Sequence, residues 1–313
     1  LRHHFMPEFY AAILNAQPMG FYSPASLVED AKRHGVEVRP ADVSYSEWDC
    51  TLEPSGVAVL PDFPLPTSDP SLTPRWPRAH PLALRIGLRY VRGLGDAVRD
   101  RLERAINPRP RSIAEFVHRA QLEEHQLLAL ASAGAFDALE SERRRAIWDV
   151  LRLAKGRAGP LDLPGLERDA PRLPEMTRAE LVAADHARVG LSSREHPMHF
   201  LRGELDVRGV ITALALRDTR RKLVKVAGIV TCRQRPGTAK GFVFITLEDE
   251  GGMINVVVEP TLFETHRQTI VGNPALEIDG VLERQDGAIN VKAKTIRGLR
   301  LEGGVKVHSH DFH

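Results

Sequence analysis

The spacing of apolar residues changes once along the chain, near Arg221. Before this point apolar residues recur every three to four positions, the period of an amphipathic helix. After it they alternate with polar residues at a period of two, which is typical of strands with one buried face. The pattern therefore predicts an α+β multidomain protein, with a helical region followed by a β domain.

The helical part is divided by two stretches rich in proline and glycine. Residues 1–53 are predicted to be mainly helical, with a short extended piece at VEVRPADV. Residues 54–81 are predicted to be a Pro-rich loop, and residues 82–157 are predicted to return to helices and to form the duplex-binding region. We interpret residues 158–205 as a linker followed by one more helix.

The β part, residues 206–303, contains five strand-like segments, and residues 304–313 are left as a tail. The segments are KLVKVAGIVTCRQR, GFVFITLEDE, GMINVVVEP, ALEIDGVLERQ and GAINVKAKTIRGL. A short helical segment, TLFETHRQTI, separates the third from the fourth. This order is that of the OB-fold, so the pattern predicts a five-stranded OB-fold β-barrel.

The stretch YVRGLGDAVRDRL places two glycines one residue apart at the start of a basic helix. Gly93 and Gly95 permit a tight bend, and Leu94 is expected to point inward. The first amides of the helix that begins near Asp96 would then point outward and attract a phosphate. The pattern predicts a helix-hairpin-helix that holds the DNA backbone without reading sequence; a plain helix–helix turn is the alternative.

The charge around this bend favours a DNA contact. The whole chain has a net charge of only +2, but residues 85–111 contain eight arginines and three acidic residues. Guanidinium groups bind phosphate with forked geometry, although a GC-rich genome would also raise the arginine content. The predicted duplex-backbone contacts are Arg89, Arg92, Gly93, Leu94, Gly95 and Arg99.

A second candidate interface lies on the first two predicted strands of the barrel. Phe242 and Phe244 alternate along the chain, so both rings are expected on one face. Residues 217–240 contain eight basic residues and one acid, and include the cationic loop RPGTAKG. Such a surface binds single strands, whereas the alternative places both rings in the barrel core. The predicted single-strand contacts are Lys225, Arg233, Arg235, Lys240, Phe242 and Phe244.

Other residue types indicate no catalytic or metal site. The two cysteines, Cys50 and Cys232, argue against a disulfide framework or a Cys-based zinc site and suit a reducing, cytoplasmic location. We interpret the acidic run 248–250 as a hairpin turn, and the arginines 143–145 as a solvated helix face with duplex contact as the alternative. The tail HSHDFH is expected to be mobile. No apolar run is long enough to span a membrane.

Several segments, in order, resemble the bacterial C-family DNA polymerases. They are EFYAAILNAQPMGFYSP, RIGLRYVRGLG, ALASAGAFDAL and the five-strand pattern. NAQPMGFYSP and the ending SHDFH resemble the error-prone, damage-tolerance branch more than the replicative one. The resemblance covers nearly the whole chain. It implies that the chain is the C-terminal portion of such a polymerase, with the end of the fingers at residues 1–53.

The resemblance implies a parent DNA-directed DNA polymerase that acts in translesion synthesis and damage-induced mutagenesis. The family's palm domain holds Mg²⁺ on aspartates and lies outside this stretch, so no catalytic residue, metal or cofactor is expected in this chain, which would be inactive alone. Gly93 and Gly95 correspond to the family's hairpin glycines. The implied partners are primer–template duplex, single-stranded template and a companion Y-family-like mutagenesis protein.

The replicative branch carries a sliding-clamp peptide at a place that here is GPLDLPG, residues 159–165. Leu161 and Leu163 remain, but proline stands where glutamine and an aromatic residue would be, which argues against direct clamp contact. Two alternatives stay open. One is a fragment of the replicative polymerase III alpha subunit, and the other is a non-catalytic OB/helix-hairpin-helix module that binds nucleic acid.

Overall fold

A computed structural model describes residues 4–19, 22–56, 80–156, 173–285, 287–304 and 310–312. Most of the predicted Pro-rich loop and the whole clamp-like peptide lie outside the described residues. The chain divides into two compact units. The first comprises Leu1–Pro18, Asp30–Arg178 and Arg188–Ser193, and the second Met19–Glu29, Ala179–Ala187 and Arg194–His313. The domain boundaries drawn from the sequence stay a prediction.

Helices dominate the described chain up to Asp218, and strands dominate it from Leu223. The helices are α1 (Met6–Asn15), α2 (Pro24–Arg33), α3 (Arg99–Ile106), α4 (Ile113–Ala120), α5 (Glu124–Ser132), α6 (Arg143–Gly156), α7 (Arg178–Arg188), α8 (Arg202–Val207), α9 (Ala213–Asp218) and α10 (Pro260–Gly272). The strands are β1 (Val38–Arg39), β2 (Thr51–Pro54), β3 (Leu82–Arg85), β4 (Leu223–Gln234), β5 (Val243–Asp249), β6 (Gly252–Val258), β7 (Ala275–Gln285), β8 (Ala288–Leu299) and β9 (His310–Phe312). This order confirms the predicted change from helices to strands.

A small sheet lies within the helical first unit. β3 is its central strand, parallel to β1 and antiparallel to β2. The extended piece predicted around β1 is confirmed, but the helix predicted to resume at residue 82 is wrong for β3. The strand forms because its pairing partners come from distant parts of the chain, which local periodicity does not reveal.

The core of the first unit is built from apolar residues at helical spacing. Phe116 in α4 meets Phe136 edge-to-face, with ring centroids 5.2 Å apart. The Oγ of Ser112 accepts a hydrogen bond from the Glu115 amide at 3.1 Å and caps the first turn of α4. Leu102 in α3 is fully buried, so the helix after the bend is fixed to this core.

The second unit contains a closed five-stranded barrel, which confirms the predicted OB-fold. β4 pairs with β7 along its first half and with β5 along its second half. β6 joins β5 to β8, and β8 returns to β7, which closes the ring. α10 lies between β6 and β7 in the chain, as the sequence predicts. Alternate residues of the strands fill the interior.

Three residues of the predicted tail form a strand, which differs from the mobile tail expected from the sequence. β9 pairs in parallel with Cys232–Gln234 at the end of β4. β7 pairs with β4 only as far as Ile229, so β9 occupies the edge of β4 that β7 leaves unpaired. An open edge offers backbone donors and acceptors to another strand.

Gly228 on β4 lies close to the backbone of β5, and this contact provides a test of the barrel's packing. A Cβ at this position would lie 2.8 Å from the Glu248 carbonyl oxygen. We expect Gly228→Ala to lower the free energy of unfolding by about 1–3 kcal/mol, because backbone must move to admit the methyl group. Urea denaturation measures this difference.

The matched control is Gly272→Ala at the end of α10, where a Cβ meets nothing within 4 Å. This variant should match the wild type or gain up to about 1 kcal/mol through helix propensity. If both variants have the same stability, the close approach at Gly228 is wrong.

Candidate nucleic-acid interface

The glycine bend of the first unit lies at the surface over one buried side chain. Gly93 has φ +97°, a conformation that favours glycine. Leu94 is 8% exposed and packs inward as predicted, whereas Gly95, Asp96 and Ala97 are exposed. The bend is therefore open to solvent and anchored from below by Leu94.

The structure does not place a full helix on each side of the bend. The element before it is a single 3-10 turn, Leu88–Tyr90, and another 3-10 turn, Asp96–Val98, precedes α3. The Val98 amide donates to the Gly95 carbonyl at 3.0 Å. The helix thus begins at Arg99 rather than near Asp96, and tight turns bracket the exposed backbone.

The arginines near this bend are partly committed to internal contacts. Arg89 donates to Asp49 at 2.8 Å and also to the carbonyls of Asn15 and Gln17. Arg99 pairs with Glu103 at 2.7 Å, and this hydrogen bond raises the pKa of the Arg99 guanidinium. Arg89 therefore links distant segments of the fold, whereas Arg99 forms an exposed pair within α3.

Arg92 and Arg99 are exposed beside the bend, whereas Arg89 is half-buried. Arg85, in the same arginine-rich stretch, is buried and pairs with Glu53 at 2.6 Å. Of the six predicted duplex contacts, the structure therefore exposes Arg92, Gly93, Gly95 and Arg99, whereas Leu94 is buried and Arg89 is half-buried. It also shows that a simple count of arginines overstates the charge available to a ligand.

On the barrel, Phe244 lies on the outer face of β5. Val243, Ile245 and Leu247 are buried in the core, and Phe244 between them is 39% exposed. The alternative that places Phe244 in the core is therefore not what the structure shows. Phe242 precedes the strand and is half-buried.

Two rows of side chains cross the outer face of the barrel, as the strand registers show. The first row, called here the aromatic row, contains Gln234, Phe244, Val257 and Lys292. The second, called the polar row, contains Cys232, Thr246, Asn255 and Asn290. Together they offer a stacking ring flanked by hydrogen-bonding groups, the composition of a platform for single strands.

Sequence reasoning missed most members of these rows. Lys292 bonds to Glu259, with 2.6 Å between Nζ and Oε1, and this bond raises its pKa. The polar residues Asn255 and Asn290 interrupt the apolar strand pattern, which was the available signal. However, the parallel pairing of β6 with β8 that brings them together is a tertiary feature.

The predicted cations of the barrel are dispersed rather than clustered. Arg235 stacks over the Phe263 ring at 5.2 Å and lies 3.5 Å from Glu264. Lys240 is exposed in the loop before β5. Lys225 donates to the Arg208 carbonyl at 3.3 Å, on the half of β4 that pairs with β7. The structure therefore does not bring Lys225 to the aromatic row.

Arg233 is buried, with 9% of its surface exposed. Its Nε donates to the Ile270 carbonyl and its Nη2 to the Asn273 carbonyl, each at 3.0 Å. A guanidinium satisfies helix carbonyls and opposes the negative end of the dipole in this position. Arg233 therefore secures the end of α10, and we leave it out of the interface proposed below.

The acidic run 248–250 forms the predicted hairpin turn. The Oδ1 of Asp249 accepts the amides of Gly251 and Gly252, at 2.8 and 3.0 Å, and its Oδ2 accepts the Ala213 amide. Burial raises the pKa of Asp249 to about 6, against the opposing effect of these amides. Its hydrogen bonds give this carboxylate a structural role.

Cys50 and Arg143 are two further groups that the sequence singled out, and both are buried. Burial raises the pKa of Cys50 to about 11, so its thiol stays protonated. Arg143 is 3% exposed and pairs with Asp137 at 3.2 Å, so the predicted solvated face is wrong for this residue. Among the described residues, no group of three His, Cys, Asp or Glu side chains could hold a metal ion.

The described helices were compared with the length and apolar character that a membrane-spanning helix needs. Within the ranges that the structure covers, none is both long and apolar enough to cross a bilayer.

Two family descriptions match separate parts of the chain. The helix-hairpin-helix motif matches residues 35–146. The OB-fold nucleic acid binding domain matches residues 224–299. These ranges contain the glycine bend and the barrel, respectively.

Two solved structures resemble the chain at a TM-score of 0.23 each. The hypothetical protein ygiW from E. coli is 19% identical and covers 29% of this chain and 89% of its own. A small single-stranded DNA binding protein from Mycoplasma pneumoniae is 12% identical and covers 26% of this chain and 98% of its own. Likeness at this level carries no functional argument.

Curated relatives match the chain over its whole length. Error-prone DNA polymerases from Methylococcus capsulatus, Burkholderia pseudomallei and Anaeromyxobacter dehalogenans are 39%, 40% and 41% identical. The chain spans 30%, 28% and 26% of those proteins, which is their C-terminal part. The resemblance found in the sequence is confirmed. Over its full length the chain is thus similar to the C-terminal part of bacterial error-prone DNA polymerases.

Proposed function

We propose that this chain holds the DNA of an error-prone DNA polymerase during translesion synthesis. The glycine bend of the first unit would contact the backbone of the primer–template duplex. The outer face of the barrel would hold single-stranded template. Both contacts are independent of base sequence, since one binds phosphate and the other stacks on any base.

The observation that supports this proposal is the placement of the two predicted contact points. Gly93 and Gly95 are exposed over buried Leu94, and Phe244 is exposed between buried neighbours on β5. An apolar ring at a surface loses favourable burial unless a ligand covers it. The Phe244 ring and the backbone of the bend are thus accessible to a ligand.

The chemistry of the parent enzyme belongs to residues outside this chain. A nucleotidyltransferase of this kind uses divalent metal, with Mg²⁺ the expected ion, on palm carboxylates that this stretch does not supply. The chain alone is expected to bind DNA without extending a primer. A cytoplasmic location and a companion Y-family-like mutagenesis protein complete the proposal. The clamp-like peptide GPLDLPG has a proline-rich composition that disfavours direct clamp contact.

One prediction of the proposed function concerns the glycine bend. A Cβ at Gly95 meets nothing within 4 Å, so Gly95→Leu should fold normally and project into the space that a phosphate must enter. We expect duplex affinity to fall about tenfold, or ~1.4 kcal/mol. Fluorescence anisotropy at one fixed salt concentration measures it, since phosphate contacts are salt-dependent.

The matched control for the bend is Gly203→Leu in α8, an exposed glycine whose Cβ also meets nothing within 4 Å. Its duplex affinity should equal that of the wild type. Wild-type affinity in Gly95→Leu would rule out the bend as a backbone contact.

A further prediction concerns Phe244. Phe244→Ala should weaken single-strand binding by about 1–3 kcal/mol, the usual contribution of one base–aromatic stack, and leave duplex affinity unchanged. The control is Val207→Ala, because Val207 is 90% exposed in α8, outside the barrel strands that carry the aromatic row. Equal losses in the two variants would contradict stacking at Phe244.

Variants of Arg233 and Arg235 distinguish an arginine that stabilises the fold from one that is proposed to bind DNA. Arg233→Met should cost about 2 kcal/mol of unfolding free energy, because two buried carbonyls lose their donors, without changing single-strand affinity. Arg235→Met should change stability by less than about 0.5 kcal/mol but weaken single-strand binding. Thermal denaturation and anisotropy on both variants test this, and the opposite pattern would refute the assignment.

A further inference from the structure

A cluster of basic residues spans the end of α9 and the turn that precedes β4. We call residues 217–222 the basic turn. Its cationic members are Arg217, Arg220, Arg221 and Lys222, all exposed, and Asp218 is its one acid.

The charges of the basic turn differ from those of most arginines in the second unit. Arg202 pairs with Glu250, and Arg208 pairs with Glu277. By contrast, the four cationic side chains of the turn form no hydrogen bond or ion pair with any described residue of the chain. Adjacent like charges repel one another. An anionic ligand bound to this surface would reduce that repulsion.

The turn is held rigidly against the barrel by the hairpin of β7 and β8. Arg284 on β7 donates from Nη1 to the Arg217 carbonyl at 2.8 Å, and from Nη2 to the carbonyls of Leu216 and Thr219 at 3.1 and 2.8 Å. The Leu282 amide donates to the Lys222 carbonyl at 2.8 Å. A turn whose backbone is fixed in this way loses less conformational entropy when a ligand binds.

Two strands connect the basic turn to the polar row. Arg284 pairs with Ile289 on β8, next to Asn290 of that row. A Cβ at Gly252 would lie 3.5 Å from the Arg217 guanidinium, at the start of the strand that carries Asn255. A strand of nucleic acid that crosses the aromatic row and then the polar row therefore leads towards this turn.

We propose that the basic turn is a second phosphate-binding surface for single-stranded DNA. It would take the sugar–phosphate backbone after the strand has crossed the outer face of the barrel. This inference rests on the proposed single-strand binding by the barrel, and it adds electrostatic contacts that the loop cations do not provide.

The test uses the full chain with Arg220, Arg221 and Lys222 each changed to Gln. Affinity is measured as a function of salt for single strands of about 8 and about 16 nucleotides, within the range of OB-fold site sizes. For the longer strand we expect at least a tenfold loss of affinity. We also expect a salt slope reduced by about 2, from three lost contacts at ~0.7 each. The shorter strand, bound at the aromatic row, should be nearly unaffected.

The control removes the same charge elsewhere in the second unit, by changing the exposed residues Arg267, Arg297 and Arg300 to Gln. It should leave the salt slope close to the wild-type value. An unchanged affinity and slope for the longer strand in the basic-turn variant would overturn the inference. Equal effects in the control, or equal losses for both strand lengths, would also overturn it.

Phe244→Ala distinguishes failure of this inference from failure of the proposed function. If stacking on the barrel holds, this variant weakens both strand lengths, whatever the basic turn does. If Phe244→Ala has no effect and the basic-turn variant still loses the longer strand, the turn stands and the stacking proposal fails.

Discussion

The barrel depends on one strand that pairs with two partners. β4 bonds to β7 along its first half and to β5 along its second, with a register shift between Val230 and Cys232. Gly228 makes this possible, because any side chain there would strike the backbone at Glu248. Because β4 pairs on both sides, it leaves few backbone groups unpaired at the edges of the sheet. The same pairings place the aromatic row and the polar row next to each other on the outer face.

Closure also sorts side chains into core and surface without regard to their chemical type. Phe244 is outside because its neighbours Val243 and Ile245 are inside, and the period of a strand is two. Arg233 follows the same alternation, but it meets the end of α10 and is used there as a donor to carbonyls. Position in the barrel, rather than residue type, thus separates a binding group from a structural one.

Charge follows a similar logic in the first unit. Arg85 and Arg89 lie in the arginine-rich stretch, yet both bind carboxylates and carbonyls of their own chain. A guanidinium with five donors links several backbone segments at once. Arginine therefore stabilises this part of the protein as well as offering charge to DNA, and the exposed glycine bend marks where the ligand is expected.

The sequence by itself determined the fold classes, the five strands, the helix between the third and fourth, and the inward position of Leu94. These features depend on local periodicity and on glycine's backbone freedom, both of which are written in neighbouring residues. Tertiary structure decided which charges are free, which strands lie side by side, and where the tail strand pairs. Burial of Arg233, the row through Lys292 and the small sheet around β3 all depend on partners far along the chain. Contacts between such distant residues leave no local pattern, because they form only when the backbone closes on itself.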